Sequence, residues 1–304
     1  MNIRPERFLL RSKPLLSSAS LARPWQYRLW GLCLTLSVLL PVALARFHQA
    51  APAYTLTDLG VGDIQVGSGN SVSSPDEPTA LSSPAKGHSL TSNFLRFSNA
   101  AGQSAWSEYR GREPKVRIHA FLASQGKTID LGTLGGKNCL VTGLSASGCV
   151  IGASHTSEGE QHAFLWKNGV MTDLGTLPGG KQSQANAIND REEIVGSAQI
   201  ETGDFHAFLW KNGVMTDLGL LPRGNESVAC ALNNRGEVVG QASTETSGFH
   251  AVLWQKGQVK DLNPLIPFQK GLALEQATRI NEQGQITATG ILNDRHHTFL
   301  LTPK

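Results

Sequence analysis

The chain has 304 residues, of which 17% are charged and 40% apolar, with 32 glycines. This mix suits short strands joined by turns and leaves room for one large domain or two ordinary ones. The formal charge of +3 is local: residues 1–45 carry six basic side chains and one acid, so the remainder is near −2 and a basic field for nucleic acid is excluded.

The basic front leads into LWGLCLTLSVLLPVALA, Leu29 to Ala45, whose end Ala43-Leu44-Ala45 has the small-residue pattern of a signal-peptidase site. A secretory signal cleaved after Ala45 is the expectation. The alternative is a single-pass N-terminal anchor, for which 17 residues interrupted by Pro41 is near the lower limit of a span. Either way residues 46–304 face outward, as a secreted, periplasmic or cell-surface domain. Cys33 lies in the apolar run; Cys139, Cys149 and Cys230 follow it, and a Cys139–Cys149 disulfide across one hairpin is conceivable.

Beyond residue 54 the chain repeats. The stretch YTLTDLG, Tyr54 to Gly60, starts inside a unit; a Ser/Gly/Pro-rich segment at about 62–92 then reads as a surface loop. The tripeptide His-Ala-Phe at His119 recurs at His162 and His206, becomes His250-Ala251-Val252 and ends as His297-Thr298-Phe299, in steps of 43, 44, 44 and 47 residues. Asp-Leu-Gly recurs at Asp58, Asp130, Asp173 and Asp217, with Asp261-Leu262-Asn263 as the fifth copy. The third marker is a turn followed by a strand ending in Gly: LSASGCVIG, INDREEIVG, LNNRGEVVG, INEQGQITATG and the eroded FSNAAGQSAWS from Phe97. A second, smaller loop, SEYRGREPKVR, is expected from Ser107. The phrase HAFLWKNGVMTDLG occurs identically at His162–Gly175 and His206–Gly219.

These markers resemble the HAF family of extracellular repeat proteins, over about residues 54–304. The resemblance implies a secreted or surface repeat protein and carries no settled activity.

Each unit of about 44 residues reads as four strands. HAFLW and VMTDLG flank Asn168-Gly169, a dipeptide suited to a two-residue hairpin turn, which sets Trp166 opposite Met171 and Phe164 opposite Asp173. Alternation then places His162, Phe164, Trp166, Met171 and Asp173 on one face and Ala163, Leu165, Thr172 and Leu174 on the other. Both faces are apolar, so a sheet is expected against each. This predicts an all-β, five-bladed β-propeller-like ring of four-stranded repeats. Because the chain enters after the His-Ala-Phe strand of one unit and ends with that strand, pairing of the N- and C-terminal strands closes the last blade. An open β-solenoid is the alternative.

The sequence specifies no reaction. A His-Asp pair is half of a catalytic triad, yet here it recurs with every blade and no nucleophile elbow accompanies it, so it reads as a structural bond. The five histidines lie away from the expected axis, and no metal or cofactor is expected. Trp166, Trp210 and Trp254 read as core rather than as sugar platforms, since Met171 and Met215 oppose the first two. A glycan-acting hydrolase would need unrepeated carboxylates on the axis, and Glu108, Glu193, Glu226 and Glu275 are the candidates. The leading expectation is a non-catalytic binding module for a macromolecule or glycan, monomeric, using the connections after each Asp-Leu-Gly: Lys137, Asn138, Lys181, Gln182, Arg223 and Asn225. A structural envelope protein is the third reading.

Overall fold

A computed structural model describes residues 52–61, 95–111, 116–245 and 248–304. The signal or anchor segment and the segment at 62–92 lie outside the described residues. The N-terminal strand is β1 (Tyr54–Gly60). The first blade is β2 (Arg96–Ser98), β3 (Ser104–Arg110), β4 (Arg117–Ser124) and β5 (Lys127–Asp130). The second is β6 (Gly135–Leu144), β7 (Val150–Thr156), β8 (Gln161–Lys167) and β9 (Val170–Asp173). The third is β10 (Ser183–Ile188), β11 (Ile194–Gln199), β12 (Phe205–Lys211) and β13 (Val214–Asp217). The fourth is β14 (Ser227–Leu232), β15 (Val238–Ser243), β16 (Phe249–Gln255) and β17 (Gln258–Asp261). The fifth combines β18 (Leu272–Ile280), β19 (Ile286–Leu292) and β20 (Arg295–Pro303) with β1, in the order β1-β20-β19-β18. The chain is thus all-β, with five four-stranded antiparallel sheets in a propeller-like arrangement, and its last blade is completed by the first strand.

The hairpin register agrees with the pattern of the sequence: Trp166 pairs with Met171 and Phe164 with Asp173. The two faces part as alternation requires. Phe164, Trp166 and Met171 pack with Ala120, Leu122 and Leu131 of the first blade, whereas Ala163, Leu165 and Leu174 pack with Phe208 of the third. The same division holds at the next seams, with Ala207 against Val252 and Trp254, and Ala251 and Leu253 against Phe299 and Leu301. The repeated phenylalanine therefore fills the seam behind it, and the alanine and leucine beside it fill the seam ahead.

Four apolar clusters join successive blades. The leucine that follows the repeated aspartate agrees: Leu131 and Leu174 are 6% exposed, Leu218 is half-buried and Leu262 fully buried, but Leu59 is 58% exposed. No apolar cluster among the described residues joins the fifth blade to the first. The first blade covers its own outer face. Trp106 stacks on Phe121 at 5.7 Å between ring centres, with the Arg96 guanidinium 4.1 Å from the Trp106 centre and that of Arg110 5.1 Å from the centre of Phe121.

A bulge on the first strand of each of the last four blades explains the invariant glycine. In β6, β10, β14 and β18 the register shifts, between Val141 and Gly143, Ala185 and Ala187, Ala229 and Ala231, and Leu274 and Gln276. Each shift brings a carbonyl of the first strand over the Gly of the second. A Cβ on Gly152, Gly196 or Gly240 would lie 1.9, 1.9 or 2.0 Å from the oxygen of Leu140, Gln184 or Val228. The pairing of β2 with β3 shows no shift, and there Trp106 stands at the glycine's position. The first unit is therefore eroded consistently, having lost bulge and glycine together. The bulged residues also stitch blades: Thr142 Oγ1 donates to the Ala185 carbonyl at 2.6 Å, and Asn186 Nδ2 to that of Ala229 at 2.8 Å.

Two expectations are corrected here. Ser107 to Arg110 belong to β3 rather than to a loop, and Ser107 Oγ accepts the Val141 amide across the seam at 2.8 Å. Cys139 and Cys149 are free and cannot pair as they stand, because Cys139 is buried against the first blade and Cys149 against the third. The bulge and turn between them reverse which face each meets. Burial pushes the Cys139 thiol up to about 12, which keeps it protonated.

Candidate functional site

In an antiparallel four-stranded blade, the turns joining strands one to two and three to four lie at one end; the other connections lie at the opposite end. The histidine-aspartate pairs sit on the last two strands of each blade. Nδ1 of His119, His162, His206, His250 and His297 lies 2.8, 2.8, 2.7, 2.7 and 2.9 Å from a carboxylate oxygen of Asp130, Asp173, Asp217, Asp261 and Asp58. The other Asp oxygen accepts the amide two residues on, of Gly132, Gly175, Gly219, Asn263 or, for Asp58, Gly60. Each aspartate thus fastens its own hairpin and the turn that leaves it. The fifth pair spans 239 positions and ties the two ends of the chain together.

The far end carries a second repeated device. Asn99 Nδ2 donates to the Ser145 carbonyl at 2.9 Å, Asn189 to that of Asn233 at 3.1 Å and Asn233 to that of Asn281 at 3.1 Å. The same Asn side chains take the amides of their own turns, as Asn189 Oδ1 does from Arg191 and Glu193. These turn asparagines link blade to blade, which alternation alone does not reveal; the signal is Asn189, Asn233 and Asn281 each directly after an Ile or Leu.

Glu193, expected to be unrepeated, has Glu237 as its counterpart in the next blade. Glu193 accepts from Asn189, Arg191 and Lys211, and Glu237 from Asn233, Arg235 and Gln255. Burial raises both carboxyls, but those donors outweigh it and hold each below its usual range. Glu108 is paired with Arg110 and lies 3.4 Å from Trp106 Nε1. Glu275 faces His296 at 3.7 Å. Among the described first strands of the blades, β2, β6, β10 and β14 hold no Asp or Glu and β18 holds Glu275 alone. That is not the facing carboxylate pair of glycoside hydrolysis. Among the described residues no three His, Cys, Asp or Glu side chains gather into a metal-binding group.

Four carboxylates have lowered pKa values, which sets an acid-side prediction. The His297 hydrogen bond and then the Gly60 amide lower Asp58. Burial raises Asp130, but the Gly132 amide and His119 outweigh it. With Glu193 and Glu237 they titrate lower folded than unfolded, so their contribution is complete above the unfolded values of about 4 and is lost as pH falls through the folded ones. The thermal midpoint should stay level from about pH 7 to 5 and fall progressively below about pH 4. A Glu193→Gln, Glu237→Gln double variant should start lower at pH 7 and lose less on acidification; parallel curves in differential scanning fluorimetry would count against these carboxylates.

The loop candidates do not form one group. Lys137 and Asn138 lie inside β6, contrary to expectation, because the connection enters its strand at Gly135. Asn138 is committed to structure: its Oδ1 accepts the Ile118 amide at 3.0 Å and its Nδ2 lies 3.3 Å from His155 Nδ1. Lys181, Gln182, Arg223 and Asn225 do lie on connections, all exposed. Lys181 is 3.7 Å from Glu160 and 74% exposed, and Arg223 is paired with Glu245. Asn225 Nδ2 donates to Asp204 at 3.3 Å. These partners lie on connections joining strands two and three, Glu160 and Asp204 on the preceding blade and Glu245 on the blade that Arg223 leads into, so charges of both signs meet along this edge. Surface pairs of this kind contribute at most about 1 kcal/mol and exchange readily for a ligand's groups.

No family model matches the chain, and no curated protein does. Among solved structures, TolB from Acinetobacter baumannii aligns at 12% identity over 69% of this chain and 54% of that one, with a TM-score of 0.43; the chain thus spans about half the length of that protein. The gluconolactonase XC5397 from Xanthomonas campestris aligns at 12% identity over 69% of this chain and 71% of its own, with a TM-score of 0.39. The six-bladed fucose-recognising lectin from Aleuria aurantia aligns at 13% identity over 69% and 77%, with a TM-score of 0.35. These solved structures include β-propellers. On its own five four-stranded antiparallel sheets the chain is a β-propeller-like protein.

Proposed function

We propose that this is a secreted or surface-exposed HAF-type repeat protein acting as a non-catalytic binding module, recognising a macromolecule or glycan through its connection edge. One observation carries the reading. The buried and strut-forming polar groups repeat from blade to blade, whereas the connections change, with Gly179, Lys181 and Gln182 of one replaced by Arg223, Asn225 and Glu226 at the same positions of the next. A rigid repeated scaffold presenting varied polar loops side by side suits recognition better than chemistry, which needs one asymmetric set of groups.

The test is a glycan array and a surface-polymer pull-down with the purified chain. The Lys181→Ala, Arg223→Ala double variant should lose at least about tenfold in affinity for any hit, equivalent to one or two charged contacts, with an unchanged thermal midpoint. Turnover of a polysaccharide or ester panel by the purified chain would overturn the non-catalytic reading.

A further inference from the structure

One cavity opens at a seam between blades. It holds about 450 Å³ between the fourth and fifth blades, at the turn end of the strands, and its polar lining is Tyr54, Arg235, Glu237, Gln255, Lys260 and Gln283. That volume falls within the range of small-ligand pockets, about 300–1,000 Å³.

The cavity lies where β1 and β20 pair to complete the fifth blade. In the fourth blade the last two strands meet at the tight turn Lys256-Gly257, both residues with positive φ. In the fifth, the same place is taken by paired ends: Tyr54 lies opposite Pro303, and the Lys304 amide donates to the Ala53 carbonyl at 3.1 Å. An aromatic ring and a proline therefore stand where the other blades carry a turn tip, and they wall off a hollow over the face of the fourth blade. Leu253, Leu265 and Ile280 line its apolar part.

The polar groups are held in a chain. Lys260 Nζ donates to Gln255 Oε1 at 3.2 Å, Gln255 Nε2 donates to Glu237 Oε1 at 2.6 Å, and Arg235 donates to Glu237 Oε2 at 2.5 Å. Asn233 Nδ2 completes the Glu237 carboxylate at 2.6 Å. Gly284 leaves room for the Arg235 fork: a Cβ there would lie 2.6 Å from Nη2. Arg235 and Glu237 cancel each other, so Lys260 gives the cavity one net positive charge. Burial, then Glu237, raises the Tyr54 phenol, which remains a neutral donor.

We propose that this cavity binds one hydroxylated, monoanionic unit of the uronic-acid class. The C–H face of a sugar ring suits Tyr54 and Pro303, its hydroxyls suit the amides of Gln255 and Gln283, and its carboxylate suits Lys260 and the outer edge of Arg235. The site is independent of the connection edge, which lies at the opposite end of the strands, so either can fail without the other.

The test is calorimetric titration of the purified full chain with D-glucuronate, and in parallel with D-glucose. Glucuronate should bind at least about tenfold more tightly, as expected for one charge-assisted contact. Lys260→Gln should abolish that preference while weak binding of both sugars persists, and Tyr54→Ala should remove both. Tyr54→Phe, which keeps the wall, guards against misfolding and should retain the preference; the Lys181, Arg223 double variant should bind as the wild type does. Absence of glucuronate binding, equal affinity for the two sugars, or a preference that survives Lys260→Gln would each overturn the proposal.

Discussion

Truncation after His296 is expected to unfold the fifth blade from both of its sides. The lost strand, β20, lies between β1 and β19 and carries Phe299 and Leu301, both fully buried. Emptying a buried Phe site alone costs about 3–5 kcal/mol. With Leu301 and two strand pairings gone as well, the loss exceeds roughly 5 kcal/mol, comparable with the whole stability of an ordinary domain. The informative readout is where protection from hydrogen exchange disappears. Amides of Tyr54 to Gly60 should exchange freely, although they lie at the other end of the chain, while β10 to β13 keep most of their protection, because stability in repeat arrays is passed between neighbours. An open stack would lose only its cap. Retained protection in β1 would show that the terminal strands do not support each other.

The second large effect is expected at Gly196. A methyl group there would sit 1.9 Å from the Gln184 carbonyl oxygen, which is backbone and cannot swing aside. Overpacking costs typically about 1–3 kcal/mol, and a clash with a bulged strand belongs at the upper end. For a domain of this size that corresponds to a fall in Tm of roughly 6–12 °C for Gly196→Ala. The internal control is Trp106→Ala. It occupies the same place in the first blade, where no bulge overhangs, so its cost should arise from lost contacts with Phe121, Arg96 and Glu108 and not from a backbone clash. A neutral Gly196→Ala would mean that the bulge is not maintained in solution.

Much of this architecture was legible because one signal was repeated five times. The hairpin register, the division of faces and the phase offset that joins Asp58 to His297 all follow from alternation plus the order of the markers. What alternation cannot show is where it breaks. The bulges at Thr142, Asn186 and Cys230 reverse parity within a strand, and that is why a Cys139–Cys149 bridge looked feasible when a whole sheet separates the two thiols. Loop boundaries failed for a related reason: Lys137 and Asn138 follow a Gly-rich run that reads as a turn, yet the strand begins at Gly135. The equivalence of Glu193 and Glu237 is present in INDREEIVG and LNNRGEVVG but is masked, because the glycine before Glu237 is a glutamate, Glu192, in the earlier copy, itself at φ 59°. The residues around Tyr54 and Pro303 carry no repeat signal at all, since they lie beyond both ends of the marker pattern.

The four packed seams are built to one plan, with Phe or Val entering from one side and Ala and Leu from the other, and the second and third blades share an identical fourteen-residue hairpin. Interior blades are consequently interchangeable parts. Gain or loss of a whole unit brings together surfaces that already fit, so such a gene can change length by recombination without redesign of any interface. That freedom stops at the first and fifth blades. The Trp106 face and the exposed Leu59 have no equivalent elsewhere, so lineages that vary in blade number should keep these two ends while the middle expands or contracts.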